Sequence, residues 1–161
     1  MNGGLYVHFP YCEHHCSYCD FVVATPRRIP QADFTDAILA ELTLRGPSLT
    51  GPAETLYLGG GTPSLWDPTQ LARVLMEVRA SPGLLPTAEV TLEANPNEVT
   101  RQRLQTLVEL GITRISLGVQ SFQDALLPLI ERRHDAARAL KACQLIARAG
   151  FDSYSIDLIF G

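Results

Sequence analysis

Three cysteines, Cys12, Cys16 and Cys19, stand in a C-x3-C-x2-C spacing directly after a short apolar run over residues 5–9. Such a triplet supplies three thiolates from one loop and leaves a fourth ligand position without a protein side chain. A closed structural zinc site takes four protein ligands, whereas an iron–sulfur cluster held by three thiolates has one iron open to a substrate. The spacing therefore favours a [4Fe–4S] cluster whose open iron is chelated by the amino and carboxylate groups of a small molecule.

Zinc is the alternative use of the same thiols, with His14 or His15 as the fourth ligand. Both histidines lie in the three-residue spacer between the first two cysteines, where simultaneous ligation is awkward. In a reducing compartment, clustered cysteines are metal ligands or catalytic groups more often than disulfides. The fourth cysteine, Cys143, stands in an apolar helical pattern and is predicted to be a small buried hydrophobic residue. The zinc site stays open at this point, with the cluster favoured.

A run of three glycines, in the motif Leu-Gly-Gly-Gly-Thr-Pro at residues 58–63, is the second group that could do chemistry. Glycine allows backbone angles that other residues avoid, so the run is typical of an ordinary turn between a strand and a helix. It also permits close approach of the backbone to a ligand, with bare N–H and C=O groups. The sequence alone leaves both interpretations open.

Polar residues form the third group, because they fall at the ends of strand-like segments. Glu93 and Asp157 lie at or near the ends of such segments, Gln120 directly follows one, and Arg132 comes after the fourth. Each alone is typical of a capping or solvated residue. Arginine suits a carboxylate through charge-assisted hydrogen bonds, and glutamine and aspartate suit ribose hydroxyls.

The positions of these candidate residues are set by short strands that alternate with amphipathic helices along the chain. Helix starts and stops are well marked, with Asp67 and Asp135 as predicted N-caps and Gly111 and Gly150 as predicted stops. The alternation predicts an α/β fold with a parallel sheet and right-handed crossovers. The predicted strands are 5–9, 55–58, 89–93, 114–119 and 153–159, and the predicted helices are 31–45, 67–79, 101–110 and 135–149.

Side-chain parity along the strands indicates a barrel rather than an open doubly wound sheet. One face is apolar in strand after strand, and the other carries polar or small residues that helices would bury at a cost of a few kcal/mol each. A barrel enclosing a polar, ligand-filled cavity satisfies those groups, with its site at the carboxyl ends of the strands. Five strands do not close a barrel. We therefore expect residues 1–161 to be the N-terminal portion of a longer core domain, cut after the fifth strand.

Composition narrows the function classes further. Apolar residues make up 46% of the chain and charged residues 19%, which is ordinary for a globular domain. The formal net charge of −4 disfavours a nucleic-acid partner. No apolar run reaches the roughly 18 residues of a membrane span, and the N-terminus lacks the regions of a signal peptide. We therefore expect a cytoplasmic protein without an integral membrane segment.

The cysteine motif, with Tyr18 before its last cysteine, resembles that of the radical S-adenosylmethionine (SAM) superfamily. More narrowly, the chain resembles the oxygen-independent coproporphyrinogen III oxidases and the HemW-type heme chaperones from residue 6 to residue 161. The shared motifs are Tyr-Val-His-Phe-Pro-Tyr-Cys, Tyr-Cys-Asp-Phe, Gly-Gly-Gly-Thr-Pro-Ser, Glu-Ala-Asn-Pro, Gly-Val-Gln-Ser-Phe and Ile-Asp-Leu-Ile-Phe-Gly.

The resemblance implies a [4Fe–4S] cluster ligated by the three cysteines and a SAM molecule on its open iron. In the superfamily, an electron from the cluster cleaves SAM to a 5′-deoxyadenosyl radical. An electron donor such as flavodoxin or ferredoxin is also implied. The resemblance places Tyr18 near the adenine of SAM. The full set of residues that it places around SAM is Tyr6, Tyr18, Gly60, Gly61, Thr62, Glu93, Gln120, Arg132 and Asp157.

One position separates the two branches. The oxidases tend to follow the third cysteine with Cys-x-Cys, whereas position 21 of this chain, two residues past Cys19, is Phe21. The sequence Cys-Asp-Phe resembles the heme-chaperone branch, whose members bind heme and deliver it to acceptor proteins. The resemblance therefore implies heme or a porphyrin and a heme-acceptor protein as partners. The alternative is oxidative decarboxylation of coproporphyrinogen III, so whether the protein is an enzyme stays open.

Overall fold

A computed structural model describes residues 3–49 and 51–160 of the chain. Gly161, the last residue of the Ile-Asp-Leu-Ile-Phe-Gly motif, lies outside the described residues. Strands and α-helices alternate through this range, and short 3-10 turns follow several of them. The elements are β1 Gly4–Phe9, α1 Gln31–Arg45, β2 Ala53–Gly60, α2 Pro68–Ala80, β3 Leu84–Ala94, α3 Arg101–Glu109, β4 Arg114–Gln120, α4 Ala136–Ile146 and β5 Ser153–Leu158.

The five strands form a single parallel sheet in the order β1-β2-β3-β4-β5. Because each strand pairs with the next one along the chain, the sheet winds in one direction only, as in a barrel. The apolar side chains of the strands and those of the helices form one hydrophobic cluster. The predicted architecture, an incomplete (β/α) barrel with five parallel strands and four helices, is confirmed within the described residues.

Side-chain parity divides the sheet into an apolar face and a polar face. In the register, Leu58 lies opposite Leu92, which lies opposite Ile115, and all three are fully buried under the helices. The other face carries hydroxyl and carboxylate groups that bond one another. Ser116, for example, lies against Ser155 with 3.0 Å between their hydroxyl oxygens. These contacts satisfy groups that would otherwise be costly to remove from water.

The core beside the carboxyl end of β1 is aromatic. Phe9 and Trp66 are fully buried, with ring centroids 4.8 Å apart, and Phe34 of α1 packs against both. The indole nitrogen of Trp66 donates to the hydroxyl of buried Thr35 at 3.1 Å. This packing fixes α1 and the segment after the glycine run against the end of β1, where the cysteine loop begins.

Helix ends follow the sequence closely. Asp67 caps α2 by accepting from the N–H of Thr69 at 2.9 Å, and Asp135 caps α4 by accepting from that of Arg138 at 2.7 Å. Gly111 and Gly150 have φ of +81° and +95°, as helix-stopping glycines require.

Differences from the predicted boundaries are modest. Strand β3 begins at Leu84 rather than at 89, and α4 ends at Ile146 rather than at 149. Cys143 was predicted to be buried, which is wrong in degree: its side chain is partly exposed, at the margin of the core. Among the described residues, no helix is long and apolar enough to cross a bilayer.

Candidate functional site

The cysteine loop leaves the sheet after Phe9 and is closed at its base by backbone contacts. Tyr11 forms an isolated parallel bridge with Ala24. The N–H of Cys12 donates to the carbonyl of Ala24 at 3.0 Å, and the N–H of Ala24 donates to that of Pro10 at 2.7 Å. Residues 12–24 are thus a closed excursion at the carboxyl end of β1, and their closure places the three cysteines together.

All three thiols line one open cavity at the carboxyl ends of the strands. Cys16 is buried, and Cys12 and Cys19 are half-buried. Burial raises the pKa of the Cys12 thiol, and the neighbouring thiols add to this effect. Among the residues that the structure describes, no three Cys, His, Asp or Glu side chains surround a single point as one metal ion requires. Thiols that face a shared cavity in this way suit a larger group, such as a cluster of several irons.

The two histidines of the loop are both engaged with backbone carbonyls. His14 donates from Nε2 to the carbonyl of Glu131 at 2.7 Å, and His15 donates from Nε2 to that of Cys19 at 2.9 Å. A nitrogen that donates its proton in this way has no lone pair for a metal. This arrangement disfavours either nitrogen as the fourth ligand of a zinc ion.

The glycine run packs directly against the cysteine loop. The N–H of Gly61 donates to the carbonyl of Phe9 at 2.8 Å, and the N–H of Thr62 donates to that of Tyr11 at 2.9 Å. A Cβ at Gly61 would lie 2.7 Å from the Tyr11 carbonyl oxygen and 3.0 Å from the Cys12 sulfur. Gly60 has φ of +120°, and a Cβ there would lie 2.7 Å from the ring of His8. The glycines are therefore needed for contact between protein segments, whatever ligand they also face.

Glu93, at the end of β3, holds the glycine run from the other side. Its carboxylate accepts from the Tyr57 hydroxyl at 2.8 Å and from the Gly60 N–H at 3.0 Å. Burial raises the pKa of Glu93, while these two hydrogen bonds oppose that effect. Burial and the bond to Glu93 raise the pKa of Tyr57 to about 12. The carboxylate thus fixes the shape of the glycine turn as well as lining the cavity.

A chain of hydrogen bonds runs from Arg132 to the first cysteine. The Arg132 guanidinium donates to the side-chain oxygen of Asn95 at 2.8 Å, and the amide nitrogen of Asn95 donates to the Thr62 hydroxyl at 3.1 Å. That hydroxyl lies 3.5 Å from the Cys12 sulfur as a donor. Arg132 also donates to the carbonyl of Gly118. Its Nε is buried and has no hydrogen-bond partner among the described residues.

Gln120 and Asp157 lie on the neighbouring strands β4 and β5. Gln120 has φ of 68°, in the left-handed region, at the point where the register between the two strands is interrupted. Gln120 lines the cavity at this irregularity, the kind of site at which a bulge changes the direction of a side chain. Asp157 lies opposite Gly118 and accepts from the Ser116 hydroxyl at 3.3 Å.

The two tyrosines predicted near SAM lie in different places. Tyr18 lines the cavity, and burial raises its pKa. Tyr6 is not among the lining residues. It is 58% exposed and stacks on Tyr57 with ring centroids 6.1 Å apart, while its hydroxyl contacts His8 Nδ1 at 2.9 Å. The structure therefore brings together ten of the predicted groups and Tyr18, and leaves Tyr6 beside them on the same sheet face.

A profile of the radical SAM superfamily matches residues 6–161. The chain belongs to the radical SAM superfamily. Radical S-adenosyl methionine domain-containing protein 1, mitochondrial, of Bos taurus is 40% identical over all of this chain and 37% of its own length. The heme chaperone HemW of Haemophilus influenzae is 36% identical over 98% of this chain and 43% of its own length.

Among solved structures, coproporphyrinogen III oxidase (HemN) from Escherichia coli superposes with a TM-score of 0.90 at 31% identity. The match covers 99% of this chain and 37% of that protein. The fold is therefore of the radical SAM type, as predicted, and the chain is HemW-like in sequence. It spans about two-fifths of the length of the curated relatives that it matches.

The residues of this radical SAM chain fit the cofactors that the superfamily uses. Three thiols share one cavity, which is the donor set of a cluster with an open iron. The buried, unpartnered Nε of Arg132 suits a ligand carboxylate, because a buried donor without a partner costs free energy. Three thiols and an arginine that suits a carboxylate thus line one cavity, as SAM on a cluster would require.

Other cavity residues were not among the predicted site residues. Asn95 belongs to the Glu-Ala-Asn-Pro motif, and that motif was the sequence signal that could have predicted it as a site residue. Glu98 follows closely, and burial raises its pKa to about 7, with the nearby carboxylate of Glu13 adding to the effect. Glu131 is not a lining residue, but it contacts the cysteine loop across more than 110 positions of chain, and the sequence holds no signal for this contact.

Proposed function

We propose that residues 1–161 are the N-terminal portion of the core domain of a HemW-type heme chaperone. Cys12, Cys16 and Cys19 would hold the [4Fe–4S] cluster, and SAM would bind its open iron. The single observation that carries this proposal is that the three cysteines line the same cavity as Arg132, whose buried Nε has no hydrogen-bond partner among the described residues. When bound, the cluster supplies the electron with which SAM is reductively cleaved.

Each side of the cavity has groups suited to one part of SAM. Arg132 would take the carboxylate, and the turn formed by Gly60, Gly61 and Thr62 would border the amino group. The N–H groups of this turn already donate to Glu93, to Phe9 at the end of β1 and to Tyr11, so the turn offers its carbonyls and its shape instead. Three further side chains line the remaining wall, Gln120 and Asp157 for the ribose hydroxyls and Tyr18 for the adenine.

Glu93 would contribute to SAM binding indirectly, by fixing the glycine turn to which it is hydrogen-bonded. Its two acceptor bonds, to Tyr57 and Gly60, keep a negative charge beside the place proposed for the amino group of SAM. Tyr6 would support this arrangement from outside by stacking on Tyr57. Neither residue needs to touch the sulfur of SAM for these roles.

Support for the heme-chaperone branch comes from Phe21 and from the names of the relatives. Phe21 lines the cavity and is 66% exposed, so it presents an aromatic ring at the cavity rim where a Cys-x-Cys sequence would otherwise stand. A flat apolar ligand such as heme is suited to such a ring. The relative from Haemophilus influenzae is named a heme chaperone.

Anaerobic reconstitution of the full-length gene product tests the first half of the proposal. We expect about four irons and four sulfides per chain and a change in the electron paramagnetic resonance spectrum of the reduced cluster on addition of SAM. Stoichiometric zinc without sulfide would instead support the alternative use of the thiols, in which the protein is a zinc-stabilised binding module. A cluster whose spectrum does not respond to SAM would contradict the proposed use of the cavity.

Heme transfer tests the second half. Protein loaded with heme is mixed with an apo heme acceptor, and transfer is followed by absorbance. We expect transfer without decarboxylation of coproporphyrinogen III. The second candidate function, oxidative decarboxylation, is favoured by the TM-score of 0.90 to coproporphyrinogen III oxidase. Release of carbon dioxide from labelled coproporphyrinogen III would establish that candidate instead.

Partners and location follow from the same proposal. Reduction of the cluster requires a low-potential donor such as flavodoxin or ferredoxin, and the chaperone role requires an acceptor protein. We propose a cytoplasmic location, as expected for a chain with reduced clustered cysteines. The relative from Bos taurus is named as a mitochondrial protein.

A further inference from the structure

Glu131 occupies an uncommon backbone conformation at the end of the 3-10 turn Leu127–Ile130. Its φ of 54° and ψ of 29° lie in the left-handed region, which disfavours residues other than glycine. The turn is closed around it by the N–H of Arg132, which donates to the carbonyl of Leu127 at 2.9 Å. A glutamate held in this conformation needs compensating contacts elsewhere.

Those contacts are with the cysteine loop, and they involve both spacers of the C-x3-C-x2-C motif. The carbonyl of Glu131 accepts from His14 Nε2 at 2.7 Å, in the spacer between Cys12 and Cys16. The carboxylate accepts from the N–H of Ser17 at 2.6 Å, in the spacer between Cys16 and Cys19. The left-handed conformation turns both acceptors of one residue toward the loop.

The next residue along the chain reaches the opposite side of the cavity. Arg132 is bonded to Asn95 and to the carbonyl of Gly118. The dipeptide 131–132 therefore joins the loop that carries the thiols to the end of β4. A shift of Glu131 would move the cysteine loop relative to the guanidinium.

We propose that Glu131 is a positioning residue, which holds the cysteine loop in its ligating conformation before a cluster is present and sets its distance from Arg132. This inference rests on the proposed cluster-binding function. It assigns Glu131 no contact with SAM or with the irons. Its contribution is to lower the conformational freedom that the loop must lose when a cluster binds.

The charge of Glu131 adds a second, electrostatic consequence. A carboxylate bonded to an amide between two ligands places a negative charge close to an already anionic set of thiolates. Neutralising it should favour the reduced, more negative state of the cluster, so the reduction potential should become more positive. A residue that only stabilised the fold would leave the potential unchanged.

Three variants of the full-length protein separate these effects. Glu131→Gly removes the carboxylate while relieving the left-handed backbone, and Glu131→Gln keeps the length and an acceptor oxygen but removes the charge. Glu41→Gln is the matched control, since Glu41 is an exposed glutamate in an i,i+4 pair with Arg45 on α1. The measurements are amide hydrogen exchange of residues 13–23 in the apo protein, the rate of iron release to a chelator and the midpoint potential.

We expect the loop amides of Glu131→Gly to exchange about fivefold faster, since losing an exposed charge-assisted hydrogen bond costs about 1 kcal/mol. Iron release should accelerate by a similar factor. Glu131→Gln should have an intermediate release rate and a potential more positive than that of the parent protein. Glu41→Gln should match the parent in all three measurements.

Parent-like loop exchange and iron release in Glu131→Gly would overturn the proposal. If that variant lowers the protection of β3 and α2 as well, the comparison rests on Glu131→Gln, and a parent-like potential and release rate there would overturn it. The exchange measurement uses no cluster. A parent protein that fails to take up iron would therefore contradict the proposed function while the loop contact is still tested.

Discussion

A guanidinium nitrogen of Arg132 lies 2.8 Å from the side-chain oxygen of Asn95, and this bond joins the loop after β4 to the end of β3. The amide nitrogen of Asn95 continues the connection to Thr62. One asparagine thus uses both ends of its amide to hold the arginine proposed for the SAM carboxylate next to the glycine turn.

Replacement of that asparagine should weaken SAM binding without loss of the cluster. In Asn95→Ala, Arg132 loses an acceptor and Thr62 loses a donor, so we expect the Kd for SAM to rise about tenfold. Asn95→Asp keeps the acceptor for Arg132 and should lose less. Anaerobic equilibrium dialysis of reconstituted protein gives the Kd, and iron content is the control. An unchanged Kd in Asn95→Ala would contradict the proposed position of the carboxylate.

Alanine at Gly61 should destabilise the protein and displace the cysteine loop. The added Cβ would meet the carbonyl oxygen of Tyr11 at 2.7 Å and the sulfur of Cys12 at 3.0 Å, and the backbone must move to make room. We expect a loss of about 2 kcal/mol in the free energy of unfolding of the apo protein. Gly3→Ala is the control, because a Cβ there meets nothing within 4 Å. Urea denaturation measures both, and equal stabilities would show that the loop yields freely.

Three of the four cysteines should ligate the cluster, and the fourth should not. Cys12, Cys16 and Cys19 line the cavity, whereas Cys143 lies at the margin of the core on α4. Cys16→Ser should abolish stoichiometric cluster assembly, and Cys143→Ser should leave iron and sulfide content at the parent level. Iron and sulfide analysis after anaerobic reconstitution checks both. Loss of iron in Cys143→Ser at parent-like stability would contradict the ligand assignment.

Stability should depend on pH through Glu98. Burial raises its pKa from 4.5 to about 7 in the folded apo protein. Between these values the folded state binds more protons than the unfolded state, so stability is higher below about pH 4.5 and falls as pH rises to about 7. After allowance for partial solvent screening, we expect a loss of the order of 1–2 kcal/mol across that window.

Glu98→Gln should flatten this part of the stability profile, because the neutral amide resembles the protonated carboxyl. Glu109→Gln, at an exposed position on α3, should leave it unchanged. Urea denaturation of the apo protein at pH 4.5, 5.5, 6.5 and 7.5 supplies the profile. A slope in Glu98→Gln equal to that of the parent would assign the dependence to another group.

The fold was predictable because the apolar periodicity of the strands and the helix caps at Asp67 and Asp135 are local signals that tertiary packing did not override. Side-chain parity also predicted the polar face, since a strand places alternate residues on opposite faces. Strand β3 was predicted five residues short, because residues 84–88 include a proline and lack clear alternation.

The cavity was predictable where its residues end strands or stand in dense motifs. The roles within it were less so. The sequence did not reveal that Gly61 is pressed against the backbone of Tyr11, because that contact depends on two loops folding back from neighbouring strands. Glu131 had no sequence signal at all, since its partners lie in the cysteine loop. Tyr6 was placed at the site by resemblance, while the structure has it stacked on Tyr57.

The backbone closure between Tyr11 and Ala24 makes the rim of the cavity and the positions of the thiols separately variable. Residues between the last cysteine and Ala24, among them Phe21, lie inside the closed excursion but after the ligands. Substitutions there alter the rim of the cavity while the base of the loop keeps the thiols in place. A substitution at the rim can therefore change which ligands fit the cavity while the three proposed cluster ligands keep their positions.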